Sequence, residues 1–208
     1  MNEVERRPSE LSLPRNQLLV AVTGSIGAAH APQWISAIKT WYPDVDVRVV
    51  ITHSAKKFVS PDFLTLVSAN PVLGPEWPES ATTVTHQDAA QWADTIVVMP
   101  ATLNCVSKLA AGIADSLLLS ILQSAECPVV VAPSLPGQAT RNPIVLANIA
   151  RLRDSGFFVL GTVTRPAAST GLDSPGAMAS LPTVLSEVAR VNATKSAFPP
   201  PPEVAEQN

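Results

Sequence analysis

Residues 92–118 read WADTIVVMPATLNCVSKLAAGIADSLL. The opening apolar run, residues 95–99, is rich in β-branched side chains and too short for a helix, so it predicts a buried strand of a parallel sheet. Pro100 is expected to end that strand. Thr102 and Asn104 supply cap-type side chains, and Val106, Leu109, Ala110 and Ile113 then fall on one helical face. The turn therefore lies at the carboxyl end of a strand and the amino end of a helix, where open α/β sheets bind ligands. Backbone N–H groups and two short polar side chains converge there, which suits a polar ring edge or an anion.

Working outward, residues 17–23 (QLLVAVT) form a first strand, and Gly24-Ser25-Ile26-Gly27 turns into a helix reaching about Trp41. The turn has the shape of a phosphate loop without either standard glycine fingerprint. Gly24 lets the backbone approach an anion and Ser25 can donate a hydrogen bond, but a plain tight turn explains the same residues and is the better reading of them alone. Residues 46–52 (DVRVVIT) form a second strand; Ser54 follows, with Phe58 four residues on. Ser25 and Ser54 thus stand at the ends of two neighbouring strands and can share one phosphate; alternatively Ser54 caps a helix and Phe58 packs. The pattern weakens over residues 61–85, where proline and glycine break PVLGPEWPE into loop. His86 then precedes a short helical stretch, QDAAQWA, on the approach to the central strand. Downstream come an apolar strand at 127–133 (CPVVVAP), a loop at 134–138, a helix from Asn142-Pro143 to about Asp154, and a last strand at 157–161. Residues 164–176 read as loop able to cover a site, and a helix over about 181–191 closes the domain.

Strand and helix alternate almost throughout, which predicts an α/β fold: a doubly wound parallel sheet of flavodoxin-like or Rossmann-like type, as a single domain. Residues 1–15 are polar and proline-punctuated and are expected to form a flexible arm. The domain takes 16–194, and the Pro-rich tail 195–208 is expected to be disordered. With 208 residues and a net charge of −3 the chain can bury a full core and shows no basic run, so no nucleic-acid partner is expected. The longest apolar runs are strand-sized and MNEVERRPSE lacks the apolar core of a signal peptide, so we expect a cytoplasmic protein without a membrane partner. Cys105 and Cys127 have no metal-ligand spacing and form no disulfide framework; no metal site is expected.

Several stretches together resemble the homo-oligomeric flavin-containing cysteine decarboxylases, the family of phosphopantothenoylcysteine decarboxylase and of the peptidyl-cysteine decarboxylases of epidermin, cypemycin and thioviridamide type. Pro100-Ala101-Thr102-Leu103-Asn104-Cys105 is similar to that family's Pro-Ala-Ser-Ala-Asn-Thr, and residues 112–118 (GIADSLL) match its Gly-x-Ala-Asp-x-Leu-Leu. Gly24-Ser25-Ile26 corresponds to the flavin phosphate loop, Ser54 and Phe58 to a Ser-x-x-x-Phe that wraps the cofactor, and His86 to the catalytic histidine. Asn142-Pro143 and Gly176-Ala177-Met178-Ala179 match two later landmarks. The likeness spans about residues 17–192.

The resemblance implies FMN in preference to FAD, since no adenosine-binding fingerprint is visible. It implies a phosphate held by Gly24, Ser25 and Ser54, with Ile26, Phe58, Pro100, Ala101, Thr102, Asn104, Cys105 and Ser134 around the cofactor. Met178 is expected to reach over the ring from a neighbouring subunit, because the family builds its sites at trimer contacts; the chain is expected to form a homotrimer assembling to a homododecamer. Cys105 stands where the family has threonine, so a hydrogen-bonding or packing role is expected of it, and Cys127 reads as a buried apolar side chain. Arg141 and Arg165 are candidates for meeting a peptide carboxylate, although solvation is the favoured reading of both.

Two departures bear on substrate. Where the family carries Pro-x-Met-Asn, this chain has Pro133-Ser134-Leu135-Pro136, and where the coenzyme A pathway enzyme has a reducing lid cysteine, it has Ser169-Thr170-Gly171. Without that thiol the reaction should stop at an oxidised product. A cysteine carboxylate resists decarboxylation because the carbanion left at Cα cannot delocalise. Oxidising the side chain to a thioaldehyde, with its hydride passed to a flavin, places a C=S sink β to the carboxylate. His86 would be the base for the substrate thiol, and Asn104 would bind the carboxyl or amide. The expected function is oxidative decarboxylation of the C-terminal cysteine of a ribosomal precursor peptide to an aminoenethiol, as in aminovinyl-cysteine formation. Phosphopantothenoylcysteine decarboxylation and a non-catalytic flavin-binding regulator are the alternatives.

Overall fold

The computed structural model describes residues 10–77, 85–166 and 171–194. Its centre is a five-stranded parallel sheet built from β1 (Gln17–Val22), β2 (Asp46–Ile51), β3 (Thr95–Thr102), β4 (Val129–Ser134) and β5 (Phe158–Val159), in the order β2-β1-β3-β4-β5. That order is the flavodoxin-like doubly wound arrangement, whose order of winding reverses between β1 and β3 and leaves a crevice at the strands' carboxyl ends. Among the described residues seven α-helices flank it: α1 (Ala31–Trp41), α2 (Pro61–Ser68), α3 (Thr85–Trp92), α4 (Leu103–Ala110), α5 (Leu117–Gln123), α6 (Pro143–Asp154) and α7 (Leu181–Ala193). A separate antiparallel pair, β6 (Val163–Pro166) and β7 (Asp173–Ala177), follows β5.

Side-chain alternation along the strands divides the core in two. Leu18, Val20 and Val22 of β1 pack with Ile35 and Ile38 of α1, Leu64 of α2 and Val184, Leu185 and Val188 of α7. Leu19 and Ala21 point to the other face, against Ala89 and Ala90 of α3, Val106 and Leu109 of α4, Leu118 and Ile121 of α5 and Leu152 of α6. Strands covered on both faces must be apolar at every position, which is why 95–99 and 129–132 read as unbroken runs.

The structure departs from the sequence reading in five places. Pro100 does not end the central strand: β3 runs on to Thr102 through a shift of register against β4 between Val98 and Ala101, and the missing proline donor falls inside that irregularity. The helix after it stops at Ala110, Gly112 takes φ 70°, and Ile113 is 42% exposed rather than on a buried face. A helix stands at Pro61–Ser68, where the sequence pattern weakens and predicts no element, because Pro61 occupies the first turn, which needs no N–H, and Ser60 caps it through Phe63 N (3.4 Å). Part of 164–176 is strand. Finally, the segment from residue 10 to 15 is no arm. Leu11 and Leu13 are buried in the first core cluster, and Arg15 pairs with Asp94 at 2.9 Å, so the folded unit begins ahead of residue 16. Residues 1–9, 169, 170 and the tail 195–208, including the two residues standing at the family's lid cysteine, lie outside the described residues.

Candidate active site

The carboxyl ends of β1, β3 and β4 are fastened to one another by hydroxyl groups. Thr23, buried directly after β1, donates from Oγ1 to Pro100 O (2.6 Å) and accepts from Thr102 N (2.9 Å). This side chain closes the gap that the β3 irregularity opens, and nothing in the sequence pattern singled it out. Ser25 caps the 3-10 turn Ile26–His30 by accepting from Gly27 N (3.3 Å), and its Oγ lies 2.9 Å from Ser134 Oγ at the end of β4. Thr102 caps α4 through Cys105 N (3.3 Å). Gly24 lies so close to the end of β2 that a Cβ there would sit 2.2 Å from Ser54 Cβ. No side chain but hydrogen fits.

These ends form the floor of an open cavity of about 1500 Å³. Of the residues expected around a cofactor, Gly24, Ser25, Ile26, Pro100, Thr102, Asn104, Ser134 and Met178 line it together. Four others do not. Ser54 stands behind Gly24, without a side-chain cap bond of its own; Phe58 is 39% exposed outside the cavity; Ala101 and the Cys105 side chain are buried in the core. Burial pushes the Cys105 thiol up to about 12, so it is a packed, protonated side chain. Burial also raises Cys127, to about 12. Met178 lines the cavity of its own chain and packs on the first core cluster.

His86 is not among the lining residues. It sits in the first turn of α3, edge-on to Trp77 with ring centroids 5.6 Å apart, and its Nδ1 is buried with no hydrogen-bond partner among the described residues. The imidazole that does line the cavity is His30, where the 3-10 turn passes into α1: its Nδ1 is 3.3 Å from Gln33 Oε1 and its ring 6.2 Å from Trp34. Arg165 of β6 and Asp173 of β7 are the other ionisable lining residues, whereas Arg141 is exposed elsewhere. The hairpin is held over the cavity by Leu135 N donating to Gly176 O (2.8 Å). Gly176, at φ 152°, leaves no space for a Cβ, which would meet Leu135 O at 2.3 Å.

The donor set fits a flavin mononucleotide. The Ser25 and Ser134 hydroxyls stand beside the Gly24–Gly27 turn, where a monoester phosphate can be held, and Trp34, Leu135 and Met178 supply apolar wall for a flat ring. Among the described residues no group of three or more His, Cys, Asp or Glu side chains is placed to hold a metal ion, and no helix is long and apolar enough to cross a membrane.

A family model described as Flavoprotein matches residues 6–193. The chain is 36% identical over 146 residues to the coenzyme A biosynthesis bifunctional protein CoaBC of Bacillus subtilis, an alignment covering 70% of this chain and 36% of that relative, so it spans about a third of its length. Among solved structures, the FMN-dependent cysteine decarboxylase SpaF superposes with a TM-score of 0.72 at 27% identity, covering 86% of this chain and 97% of the other. A mutant PPC decarboxylase complexed with pantothenoylaminoethenethiol gives 0.72 at 25% identity, covering 91% and 100%.

Proposed function

We propose, from the premise that this chain belongs to the Flavoprotein family, that it is an FMN-dependent decarboxylase acting on the C-terminal cysteine of a peptide. The observation that carries this reading is the convergence of Ser25, Thr102, Asn104 and Ser134 on one cavity at the switch point of the sheet. When bound, the flavin supplies the two-electron oxidation that makes the cysteine carboxylate able to leave as carbon dioxide. Gly24, Ser25 and Gly27 would hold its phosphate, and Thr102, Leu135 and Met178 its ring. Asn104, at the head of α4 with its carboxamide unengaged among the described residues, would bind the substrate's carboxyl or amide and orient the bond to be broken. His86 would take the thiol proton. Because His86 lies outside the lining of its own chain's cavity, this role goes with a homotrimer, itself able to build a homododecamer, in which one protomer's α3 serves another's cavity.

Two features favour a peptide over a phosphopantothenoyl substrate. Pro136 stands in the wall where a clamp asparagine would be, and the only arginine or lysine lining the cavity among the described residues is Arg165, which shares it with Asp173. A second, dianionic phosphate would find little to neutralise it. The alternative, phosphopantothenoylcysteine decarboxylation, is supported by the likeness to CoaBC and to PPC decarboxylase. Mass spectrometry separates the two. A peptide ending in cysteine should lose carbon dioxide and two hydrogens; loss of carbon dioxide alone from phosphopantothenoylcysteine, with peptides untouched, would establish the alternative.

A further inference from the structure

The wall that follows β4 has few hydrogen-bonding groups to spare. Leu135 N donates to Gly176 O (2.8 Å), Ala139 N to Pro136 O (2.9 Å), Pro136 has no N–H, and Ser134 Oγ is joined to Ser25 Oγ. The Gln138 side chain is a group of this wall with both a donor and an acceptor to offer: it is exposed, lines the cavity and makes no hydrogen bond among the described residues. Its backbone is held firmly. A Cβ on Gly137 would come within 2.5 Å of Ser174 Oγ on the hairpin, and Thr140 Oγ1 donates to Gly137 O (2.7 Å). Three carboxamides line the cavity. Gln33 is engaged with His30, which leaves Asn104 after β3 and Gln138 after β4, the ends of adjacent strands.

A carboxamide donates and accepts at once, whereas an anion would use only its donor half. In an extended chain the N–H and C=O of one residue face the same side, so a single carboxamide can engage both. We infer that Gln138 anchors the substrate through the N–H and C=O of the residue upstream of its cysteine, which belong to two consecutive amides, while Asn104 holds the cysteine end. The inference rests on the reading of an N-acylated cysteine as substrate. Peptides and pantothenoyl chains both carry two such amides, and this contact would be blind to the side chains around it.

The flavin-loaded protein can be tested with a cysteine-terminated tripeptide, its analogue with an ester in place of the upstream amide, a serine-terminated tripeptide for binding without reaction, and pantothenoylcysteine. Gln138→Ala and the isosteric Gln138→Glu should each raise KM, and the Kd for the serine peptide, about tenfold with kcat little changed. The ester should cost the unmodified protein a similar factor and cost Gln138→Ala nothing more. Penalties that multiply, or a Kd untouched by both substitutions, would overturn the inference, as would failure to bind any probe. A loss seen only with pantothenoylcysteine assigns the amide to that chain instead of a peptide. Serine-peptide binding that depends on Gln138, with no cysteine chain ever decarboxylated, would keep the contact and remove the decarboxylase reading.

Discussion

Gly24 and Gly27 sit three residues apart in the same turn and look interchangeable in sequence, yet only one is required. A Cβ on Gly24 would overlap Ser54 Cβ at 2.2 Å and its carbonyl carbon at 2.8 Å, both anchored by backbone, while a Cβ on Gly27 would lie 3.7 Å from Ser25 Oγ, an ordinary contact. Gly24→Ala should therefore cost about 2 kcal/mol or more of stability and most of the bound flavin, whereas Gly27→Ala should stay within about 0.5 kcal/mol and remain yellow. Thermal melting and the flavin absorbance of purified variants check both; equal behaviour would show that Gly24 does not hold the two strand ends together. The same scale explains what the sequence could and could not disclose. Ser25, Thr102 and Asn104 were legible because a polar residue directly after an apolar strand has few places to go. Thr23 was not, since its hydroxyl serves an irregularity in β3 that no periodicity announces, and Gln138 was not, since a glutamine in a proline-glycine loop carries no pattern.

At the scale of elements, the parallel strands were readable because burial on both faces leaves unbroken apolar runs, and Asn142-Pro143 marked a helix start, where Asn142 caps α6. What failed were the elements that depend on tertiary contacts. Phe63 and Leu66 on α2 are 51% and 77% exposed, so apolar residues stand on the outer face of that helix as well as on its buried one, and the β6–β7 pair is defined by its docking on Leu135. The segment ahead of β1 failed for the same reason. Its anchor is Asp94, whose side chain is 3% exposed and accepts from Arg15 N (2.6 Å), Arg15 Nε (2.9 Å) and Gln17 N (3.0 Å) where β1 and β3 begin. Asp94→Ala strips three donors of their acceptor and should cost about 3 kcal/mol, seen as a lower urea midpoint with an unchanged slope. A loss under about 0.5 kcal/mol would mean that Leu11 and Leu13 hold the segment without it.

At the scale of the molecule, the cavity and the imidazole assigned to it are on different parts of the chain. The Gly24 turn, α1, α7 and the hairpin surround the cavity, while α3 packs in the second core cluster with His86 at its head. An imidazole acts as a base only within hydrogen-bonding reach of the proton it takes. In the proposed homotrimer a ring of heterologous contacts would put one protomer's α3 against the next protomer's cavity at every site. The consequence is countable. His86→Ala and Asn104→Ala should each abolish turnover while keeping flavin. In oligomers co-assembled from equal amounts of the two, a site is whole when its His86 comes from an Asn104→Ala chain and its Asn104 from a His86→Ala chain, so about a quarter of full activity should return. If both residues served the same chain's site, every site would lack one of them and mixing would restore nothing. A mixed preparation as inactive as its parents would place both residues at one chain's own site, whereas His86→Ala chains that keep their turnover would leave His30 as the imidazole next to the substrate.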